Sequence, residues 1–213
     1  MKLDISINDV NYERNKCILQ AITIEINQPG IYGVFGKNGQ GKSTFLKTIA
    51  GIRTFNGTIN YNNKKLLAQQ IAYIGTEPNV YEYLTAKEFY TFYQKVSGKK
   101  VESDTKRLFD IDENIILKSM STGTLKKAYI NTILQFTTYD IYIFDEPFNG
   151  LDIESNYILI EKLKELAKTK VVFVSSHILE VIQPFLNEVF FVNNQSINKI
   201  EANQLLKNLQ QND

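Results

Sequence analysis

A chain of 213 residues can form one large domain with a substantial core, or two small domains. Its 24 basic and 23 acidic side chains nearly cancel, and the net charge of +1 argues against nucleic acid or an anionic membrane as a partner. The single cysteine excludes an internal disulfide framework and suits a reducing cytosol. Short basic pairs, such as Lys126 with Lys127, are expected on solvated faces.

The first thirty residues alternate between apolar and polar side chains. Leu3, Ile5 and Ile7 share one face, and a second run over 22–26 repeats the pattern. Both runs are expected to be half-buried antiparallel strands. Because the chain starts directly on this pattern, we expect no targeting segment. Its longest apolar runs are four residues, such as 171–174, so we also expect a soluble protein without a membrane span.

Residues 36–43 read G-K-N-G-Q-G-K-S and fit the phosphate-loop pattern G-x-x-x-x-G-K-[ST] between a predicted strand and a predicted helix. Glycines let the backbone wrap around a triphosphate, so that N–H groups and the helix N-terminus point at the anion. Lys42 is expected to reach the β- and γ-phosphates, and the Ser43 hydroxyl to contact Mg²⁺. The predicted nucleotide-binding residues here are Gly36, Lys37, Asn38, Gly39, Gln40, Gly41, Lys42, Ser43 and Thr44.

Strands and helices alternate through the rest of the chain, which predicts a mainly parallel sheet. The predicted strands are 57–61, 71–74, 140–144 and 171–175, followed by two edge strands around 189–200. The predicted helices are short ones over about 85–118, one over about 124–136, an amphipathic one over 153–167 with Asp152 as N-cap, a short one after 175, and a polar C-terminal one.

Two acidic residues, Asp145 and Glu146, follow the predicted buried strand 140–144. In a chain with a phosphate loop, a carboxylate at the carboxyl end of such a strand is the natural partner of Mg²⁺. Glu146 cannot share that role without repulsion, so it is expected to face the γ-phosphate and polarise an attacking water. Taken alone, the pair fits a strand-end turn with Pro147 equally well, and the presence of Lys42 favours the metal interpretation.

Five motifs, in this order, resemble those of the ATP-binding cassette (ABC) ATPases. Tyr12 lies where an aromatic side chain stacks on adenine, and the phosphate loop follows it. Residues 120–124, M-S-T-G-T, stand where the family has its signature loop, usually L-S-G-G-Q. Residues 141–152, I-Y-I-F-D-E-P-F-N-G-L-D, look like the magnesium strand, catalytic glutamate and D-loop, and residues 174–177, V-S-S-H, match the switch histidine.

The resemblance covers nearly all of the chain and implies the fold. It implies a single α/β domain over 1–213, a P-loop NTPase of the ABC ATPase type. This fold has a mainly parallel sheet core, an N-terminal antiparallel β subdomain and a helical insertion over about 77–136. The six aromatic residues between 81 and 93 are expected to form mostly the core of that insertion, with a few exposed for docking a permease helix.

The resemblance also implies ATP and Mg²⁺ as cofactors and assigns roles to residues. Glu146, His177 and Lys42 would be catalytic, and Ser43 and Asp145 would hold the metal. Ser121 and Gly123, just before the helix predicted near Thr124, would present N–H groups to the γ-phosphate of a second cassette. ATP would then be sandwiched between two head-to-tail copies, in a homodimer or a heterodimer.

Three departures from the family pattern weaken particular contacts. The signature has Thr122 in place of its second glycine and Thr124 in place of glutamine, so affinity or turnover at the composite site is expected to be lower. Thr76 stands where the family has the Q-loop glutamine, and Thr76 or Glu77 is left as the candidate contact for Mg²⁺ or water. The D-loop carries F-N-G over 148–150 where smaller residues are usual.

The leading hypothesis is the ATPase subunit of an ABC transporter, most similar to bacterial export or multidrug-resistance cassettes. It would work with a separate transmembrane permease, and so be cytoplasmic and peripheral on the inner face of the membrane. Two alternatives remain. One is a soluble ABC ATPase serving translation, DNA repair or cluster assembly, although this chain has neither two cassettes nor a long coiled coil. The other is a weakly hydrolysing regulatory subunit.

Overall fold

Two β-sheets form the framework of the chain. The structure, a computed structural model, describes residues 1–11, 16–99, 101, 106–136, 138–177, 182–201 and 204–205. In chain order the elements are β1 (Leu3–Asn11), β2 (Cys17–Ile26), β3 (Gly30–Phe35), α1 (Lys42–Ile49), β4 (Asn56–Tyr61), β5 (Lys64–Lys65), β6 (Ile71–Ile74), α2 (Ala86–Ser97), α3 (Thr122–Leu134), β7 (Ile141–Asp145), α4 (Ile153–Ala167), β8 (Val171–Ser175), β9 (Glu188–Asn193) and β10 (Ser196–Ile200). Short 3-10 turns lie at Ala68–Gln70, Leu117–Ser119 and Gln183–Phe185.

The N-terminal sheet is antiparallel, in the order β2-β1-β4-β5, as the alternating pattern predicts. Leu3, Ile5 and Ile7 pair with Ile26, Ile24 and Ile22, so the apolar side chains of both strands lie on one face. All six are buried, while the polar residues between them on β2 are exposed. One face therefore packs on the core and the other meets water.

The second sheet has six strands in the order β10-β9-β3-β8-β7-β6. The strands from β9 to β6 run parallel, and only β10 is antiparallel. The prediction of two edge strands around 189–200 was therefore wrong for β9, which pairs with β3 on its other side. Residues 189–192 are buried without interruption, as expected for an interior parallel strand.

Helices α2, α3 and α4 cover one face of the parallel sheet, and α1 with the N-terminal sheet covers the other. Along β3, Tyr32 and Val34 pack against α1 and the antiparallel sheet, whereas Ile31 and Phe35 join the core that includes α2, α3 and α4. The same alternation recurs along β7 and β8. Because side chains of successive strand residues point to opposite faces, a sheet covered on both sides needs continuous apolar runs.

The described residues between β6 and β7 carry the helices of the predicted insertion. Helix α2 begins with a capping box, in which the side chains of Thr85 and Glu88 each accept a hydrogen bond from the other's backbone N–H. It ends at Gly98, which has a left-handed backbone. Helix α3 begins at Thr122, two residues before the prediction, because Ser121 caps it.

The aromatic side chains of this region divide into buried and exposed groups. Phe89 and Tyr90 on α2 are fully buried, whereas Tyr81 and Tyr83 in the preceding loop are 58% and 77% exposed. The two remaining rings pack edge-on against these, Phe92 against Tyr81 and Tyr93 against Phe89. The expected mixture of an aromatic core and a few exposed rings is present in the structure.

Helix α3 also carries the adjacent lysines Lys126 and Lys127. Lys126 was predicted on a solvated face, which is wrong: it is only 2% exposed, whereas Lys127 pairs with Asp152 at 2.7 Å. Consecutive helical residues point about 100° apart, so one lysine of the pair faces inward.

The predicted polar C-terminal helix lies largely outside the described residues. Of the helices that are described, none has the length and apolar character to cross a bilayer.

Candidate functional site

The phosphate loop joins the end of β3 to the start of α1, at the carboxyl edge of the parallel sheet. Gly36 has a φ of 148°, and a Cβ atom built there would lie 2.3 Å from the Val192 carbonyl oxygen of β9. Neither the backbone angle nor the space allows a side chain at this position. The loop leads directly into the N-terminus of α1. Free backbone N–H groups and the helix dipole favour an anion at this place.

Lys42, the first residue of α1, folds back over the loop. Its Nζ donates to the carbonyl oxygens of Gly36, at 2.8 Å, and Lys37, at 3.2 Å, and to Asn38 Oδ1, at 3.4 Å. Burial lowers the pKa of Lys42, and the charges of Glu146 and Asp145 act in the opposite direction. An ammonium group held over the loop is placed to meet a phosphate there.

Asp145 ends β7, next to β8 and β6, and three hydroxyl groups surround its carboxylate. Ser43 Oγ and Ser175 Oγ donate to Oδ1 at 3.1 and 2.8 Å, and the Tyr73 hydroxyl donates to Oδ2 at 3.1 Å. Burial and the Asp145 charge raise the pKa of Tyr73 far above its ordinary value, so the phenol stays a donor. The parallel register of the three strands fixes the carboxylate beside the first turn of α1.

Glu146 has an unusual backbone conformation, with a φ of 52° in the left-handed region. Such strain costs about 1–3 kcal/mol for a residue with a side chain. Two side chains hold the residue in this conformation. Its N–H donates to Ser175 Oγ at 2.9 Å, and its carbonyl oxygen accepts from Lys126 Nζ at 2.7 Å. A hydrogen bond from a charged donor contributes about 1.5–3 kcal/mol, so these contacts are large enough to offset the strain.

The Glu146 carboxylate faces His177. The His177 backbone N–H donates to Oε2 at 3.2 Å, and the ring Nε2 lies 3.1 Å from Oε1. Oε1 is buried and, among the described residues, accepts no hydrogen bond of good geometry. Burial raises the pKa of Glu146, while the charges of His177 and Lys42 oppose the rise. A raised pKa and a buried oxygen without a hydrogen-bond partner are properties expected of a general base.

Lys42, Ser43, Glu146 and His177 line one cleft of about 550 Å³. This volume is typical of small-ligand sites. Its lining includes most of the predicted phosphate-loop residues together with Glu146 and His177. The full set is Lys16, Ile18, Asn38, Gly39, Gly41, Lys42, Ser43, Thr44, Thr76, Glu146, Asn149 and His177.

Comparison with known proteins decides the family. The sequence profile described as ABC transporter matches residues 19–149, more than half of the chain. This chain belongs to the ABC transporter family. The putative ABC transporter ATP-binding protein AlbC of Bacillus subtilis is 27% identical over 217 residues, covering 93% of this chain and 90% of AlbC. An uncharacterized ABC transporter ATP-binding protein of Methanocaldococcus jannaschii is 30% identical, covering 90% of this chain and 75% of the relative.

A solved structure of the ATP-binding subunit of an ABC transporter has the same fold as this ABC protein, with a TM-score of 0.84 at 24% identity over 99% of this chain and 94% of the other. The family resemblance and the α/β P-loop fold predicted from the motifs are thereby confirmed. The ABC protein is an ATP-binding subunit of a transporter and an ATPase.

Several predicted site residues of the ABC protein do not line the cleft themselves but contact residues of the phosphate loop or lie elsewhere. Gly36 and Lys37 offer carbonyl oxygens to Lys42, and the Gln40 side chain accepts from the Asn194 N–H. Thr76 lines this cleft and also a neighbouring cleft of about 620 Å³, which Glu77, Ser43 and Asp145 line as well. Tyr12, predicted to stack on adenine, lies outside the described residues.

The signature residues lie away from the cleft, at the N-terminus of α3. Ser121 Oγ accepts from the Thr124 N–H at 3.2 Å. A Cβ atom on Gly123 would lie 2.8 Å from the Gly150 carbonyl oxygen of the D-loop. Gly123 therefore lets the signature and the D-loop of one chain approach closely.

Sequence reasoning did not single out four groups near the site: Tyr73, Ser175, Lys126 and Ile18. Each comes from a segment that is distant in sequence from the residue it contacts. The pairing of β6, β7 and β8 brings in Tyr73 and Ser175, the packing of α3 brings in Lys126, and β2 brings Ile18 beside Gly41. No local motif signals these contacts. Tyr73 and Ser175 do lie in predicted strands ending at this edge, which was the one available signal.

The residues present fit a bound Mg²⁺. Ser43 Oγ and Asp145 Oδ1 lie 3.1 Å apart beside the phosphate loop, and both are oxygen ligands of the kind Mg²⁺ prefers. Mg²⁺ in nucleotide sites is held by one or two such groups with waters and phosphate oxygens. In the part of the chain that the structure describes, no cluster of three His, Cys, Asp or Glu side chains is placed to hold a metal.

Proposed function

We propose that the ABC protein hydrolyses ATP in the cleft between the phosphate loop and Glu146, and that this drives transport through a separate membrane permease. The observation that carries the proposal is the Glu146 carboxylate. It lines the same cleft as Lys42 and Ser43, and its Oε1 is buried with no hydrogen-bond donor of good geometry among the described residues. A water between this oxygen and a terminal phosphate would satisfy it.

The phosphate loop binds the nucleotide. The backbone N–H groups of the loop and of the first turn of α1 surround the phosphates, and Lys42 turns from the loop carbonyls to the β- and γ-phosphates. When bound between Ser43 and Asp145, Mg²⁺ neutralises charge on the phosphate oxygens. The Tyr73 and Ser175 hydroxyls hold Asp145 in place.

Glu146 then acts as the general base. It accepts a proton from water as the water oxygen bonds to the γ-phosphorus, and the bond from that phosphorus to the bridging oxygen breaks, releasing ADP. The His177 N–H fixes the second carboxylate oxygen, and the imidazole, on the rim of the cleft, contacts the γ-phosphate.

A second cassette completes each site. The N-terminus of α3, with Ser121 and Gly123, lies outside this chain's own cleft. Facing the nucleotide of another cassette, it would add N–H donors to that γ-phosphate. The partner is an identical chain or a related one, so the unit is a homodimer or a heterodimer.

The permease docks on the exposed apolar surface near α2. Four side chains there are each more than 40% exposed: Tyr81, Tyr83, Ile115 and Ile116. The loop with the tyrosines and the loop with the isoleucines are joined by backbone hydrogen bonds, such as that from the Lys118 N–H to the Glu82 carbonyl oxygen. Exposed clusters of this kind mark interaction sites. Docking here would hold the protein on the inner face of the membrane, in the cytoplasm.

Hydrolysis by purified protein tests the site directly. We expect MgATP turnover in the wild type and its loss in Lys42→Ala, because the Lys42 ammonium group is the one held on the carbonyl oxygens of the phosphate loop at Gly36 and Lys37. Lys162→Met, which removes a partly buried lysine paired with Glu165, serves as the charge-matched control. Equal turnover in Lys42→Ala and the control would contradict the proposed site.

A regulatory subunit with little hydrolysis is the second candidate. It is favoured by Thr76 in place of the Q-loop glutamine and by Thr122 in the signature. In that case the wild type would bind MgATP tightly but turn it over no faster than Glu146→Gln, even with its permease present.

A further inference from the structure

Lys126 is a buried lysine in the middle of the signature helix. It lies on α3, five residues after the cap Ser121, and only 2% of it is exposed. A lysine is almost never fully buried unless it is paired. Its Nζ donates to the carbonyl oxygen of Glu146 at 2.7 Å and to that of Thr76 at 3.4 Å. Both acceptors are backbone groups of loops at the catalytic edge of the sheet.

These contacts place one ammonium group between three functional segments. Glu146 is the proposed general base, Thr76 stands at the Q-loop position, and α3 begins with the signature residues. The Glu146 peptide is held from its other side by Ser175, whose Oγ accepts the N–H at 2.9 Å. The left-handed φ of Glu146 therefore depends on two side-chain contacts, and only the one from Lys126 comes from a helix outside the parallel sheet.

We propose that Lys126 is a positioning residue that ties the orientation of Glu146 to the position of the signature helix. Since α3 is a continuous helix, a shift of its N-terminus also shifts Nζ of Lys126. When Ser121 and Gly123 engage the nucleotide of the second cassette, α3 is fixed in position, and Lys126 is thereby held against the Glu146 carbonyl of its own site. Each ATP thereby promotes hydrolysis at the other site. This inference rests on the proposed function, in particular on the paired cassettes.

A series of variants at this position tests the inference. Lys126→Met keeps the length and apolar stem but removes the charge and the donor, whereas Lys126→Gln keeps an N–H donor. Lys162→Met is the matched control, since it removes a partly buried lysine of α4 that pairs with Glu165. Melting temperatures establish that each variant is folded, and Lys126→Gln is used if Lys126→Met does not fold.

The expected kinetic result is a loss of turnover without a loss of binding. For Lys126→Met we expect kcat to fall about tenfold to a hundredfold with KM changed less than about threefold, as for loss of a group that orients another. The Hill coefficient for ATP should fall towards one, and Lys126→Gln should recover part of both. A general structural defect in Lys126→Met would change kcat and KM together. In that case Lys126→Gln would not recover the Hill coefficient.

Amide hydrogen exchange in nucleotide-free protein gives a readout independent of activity. The peptide covering 141–149 should exchange faster in Lys126→Met than in the control, because the Glu146 backbone loses one of its two anchors. If kcat, the Hill coefficient and this exchange all match the control while the wild type hydrolyses MgATP, the role of Lys126 is refuted and the proposed function stands. If the wild type itself neither hydrolyses MgATP nor pairs, both fail.

Discussion

At the scale of single residues, the site depends on groups that orient the two carboxylates. The Asp145 carboxylate accepts hydrogen bonds from hydroxyl groups on α1, β6 and β8. Glu146 is held by hydrogen bonds to its backbone and to its side chain. Preorganised donors of this kind cost no rearrangement during the reaction. The strain at Glu146 is then a consequence of aiming its carboxylate into the cleft.

Tyr73→Phe removes one of these orienting groups without changing the shape of the ring. We expect the Mg²⁺ concentration for half-maximal activity to rise about tenfold, since loss of a group that positions a metal ligand typically weakens metal binding by that amount or more. A titration of activity against Mg²⁺ measures it. Tyr157→Phe, on the exposed face of α4, is the control. An unchanged Mg²⁺ requirement would remove Tyr73 from this role.

At the scale of elements, helix termini set the geometry around the site. Gly123→Ala places a methyl group 2.8 Å from the Gly150 carbonyl oxygen and so separates α3 from the D-loop. We expect hydrolysis to fall at least about tenfold, the order seen when positioned groups shift. The melting temperature should hardly change, because alanine favours a helix. Steady-state ATPase assays compare Gly123→Ala with the control Ser119→Ala, which changes an exposed residue just upstream of α3.

The N-terminus of α4 provides a pH-dependent test of stability. Asp152 accepts from Lys127 and from the Ser155 N–H, and these contacts hold the pKa of Asp152 far below its ordinary value of 3.8. A carboxyl with a depressed pKa stabilises the folded state above its ordinary pKa and loses that contribution as the pH falls through the lowered one. Asp152→Ala should therefore melt about 2–4 °C below the wild type at pH 7.

The difference between Asp152→Ala and the wild type should shrink as the pH is lowered below about 4, where the unfolded carboxyl is protonated. Melting curves by circular dichroism across this range measure it. A gap that stays constant down to strongly acidic pH would show that the ion pair and the cap contribute nothing at this helix end.

The sequence predicts those elements whose signals are local. The phosphate loop, the Asp152 cap and the alternation of β1 and β2 are each set by residues within a few positions of one another. The position of Lys126 could not be inferred, because a pair of adjacent lysines looks solvated until the helix is seen against the sheet. The interior location of β9 also depends on long-range pairing: its continuous apolar run fits a strand covered on both faces, but only the pairing with β3 shows that it has a neighbour on each side.

At the scale of the whole molecule, function depends on surfaces that this chain presents to partners. Tyr83→Ala removes the most exposed ring of the proposed permease surface, 77% exposed, while Tyr157→Ala removes a comparable ring, 67% exposed, on α4. We expect Tyr83→Ala to reduce co-purification with the permease at least about tenfold, as for an aromatic hot spot. Its ATPase activity without the permease should be unchanged. Equal co-purification of the two variants would exclude this surface.

The central claim is that Glu146 activates the water that attacks ATP at a site completed by a second cassette. Light scattering of Glu146→Gln with MgATP tests it most directly, with bound nucleotide quantified in the same sample. We predict a closed dimer of about twice the 24.5 kDa chain mass that retains uncleaved ATP, because amides cannot act as bases at neutral pH. A monomer saturated with ATP, or ADP produced at the wild-type rate, would contradict the account.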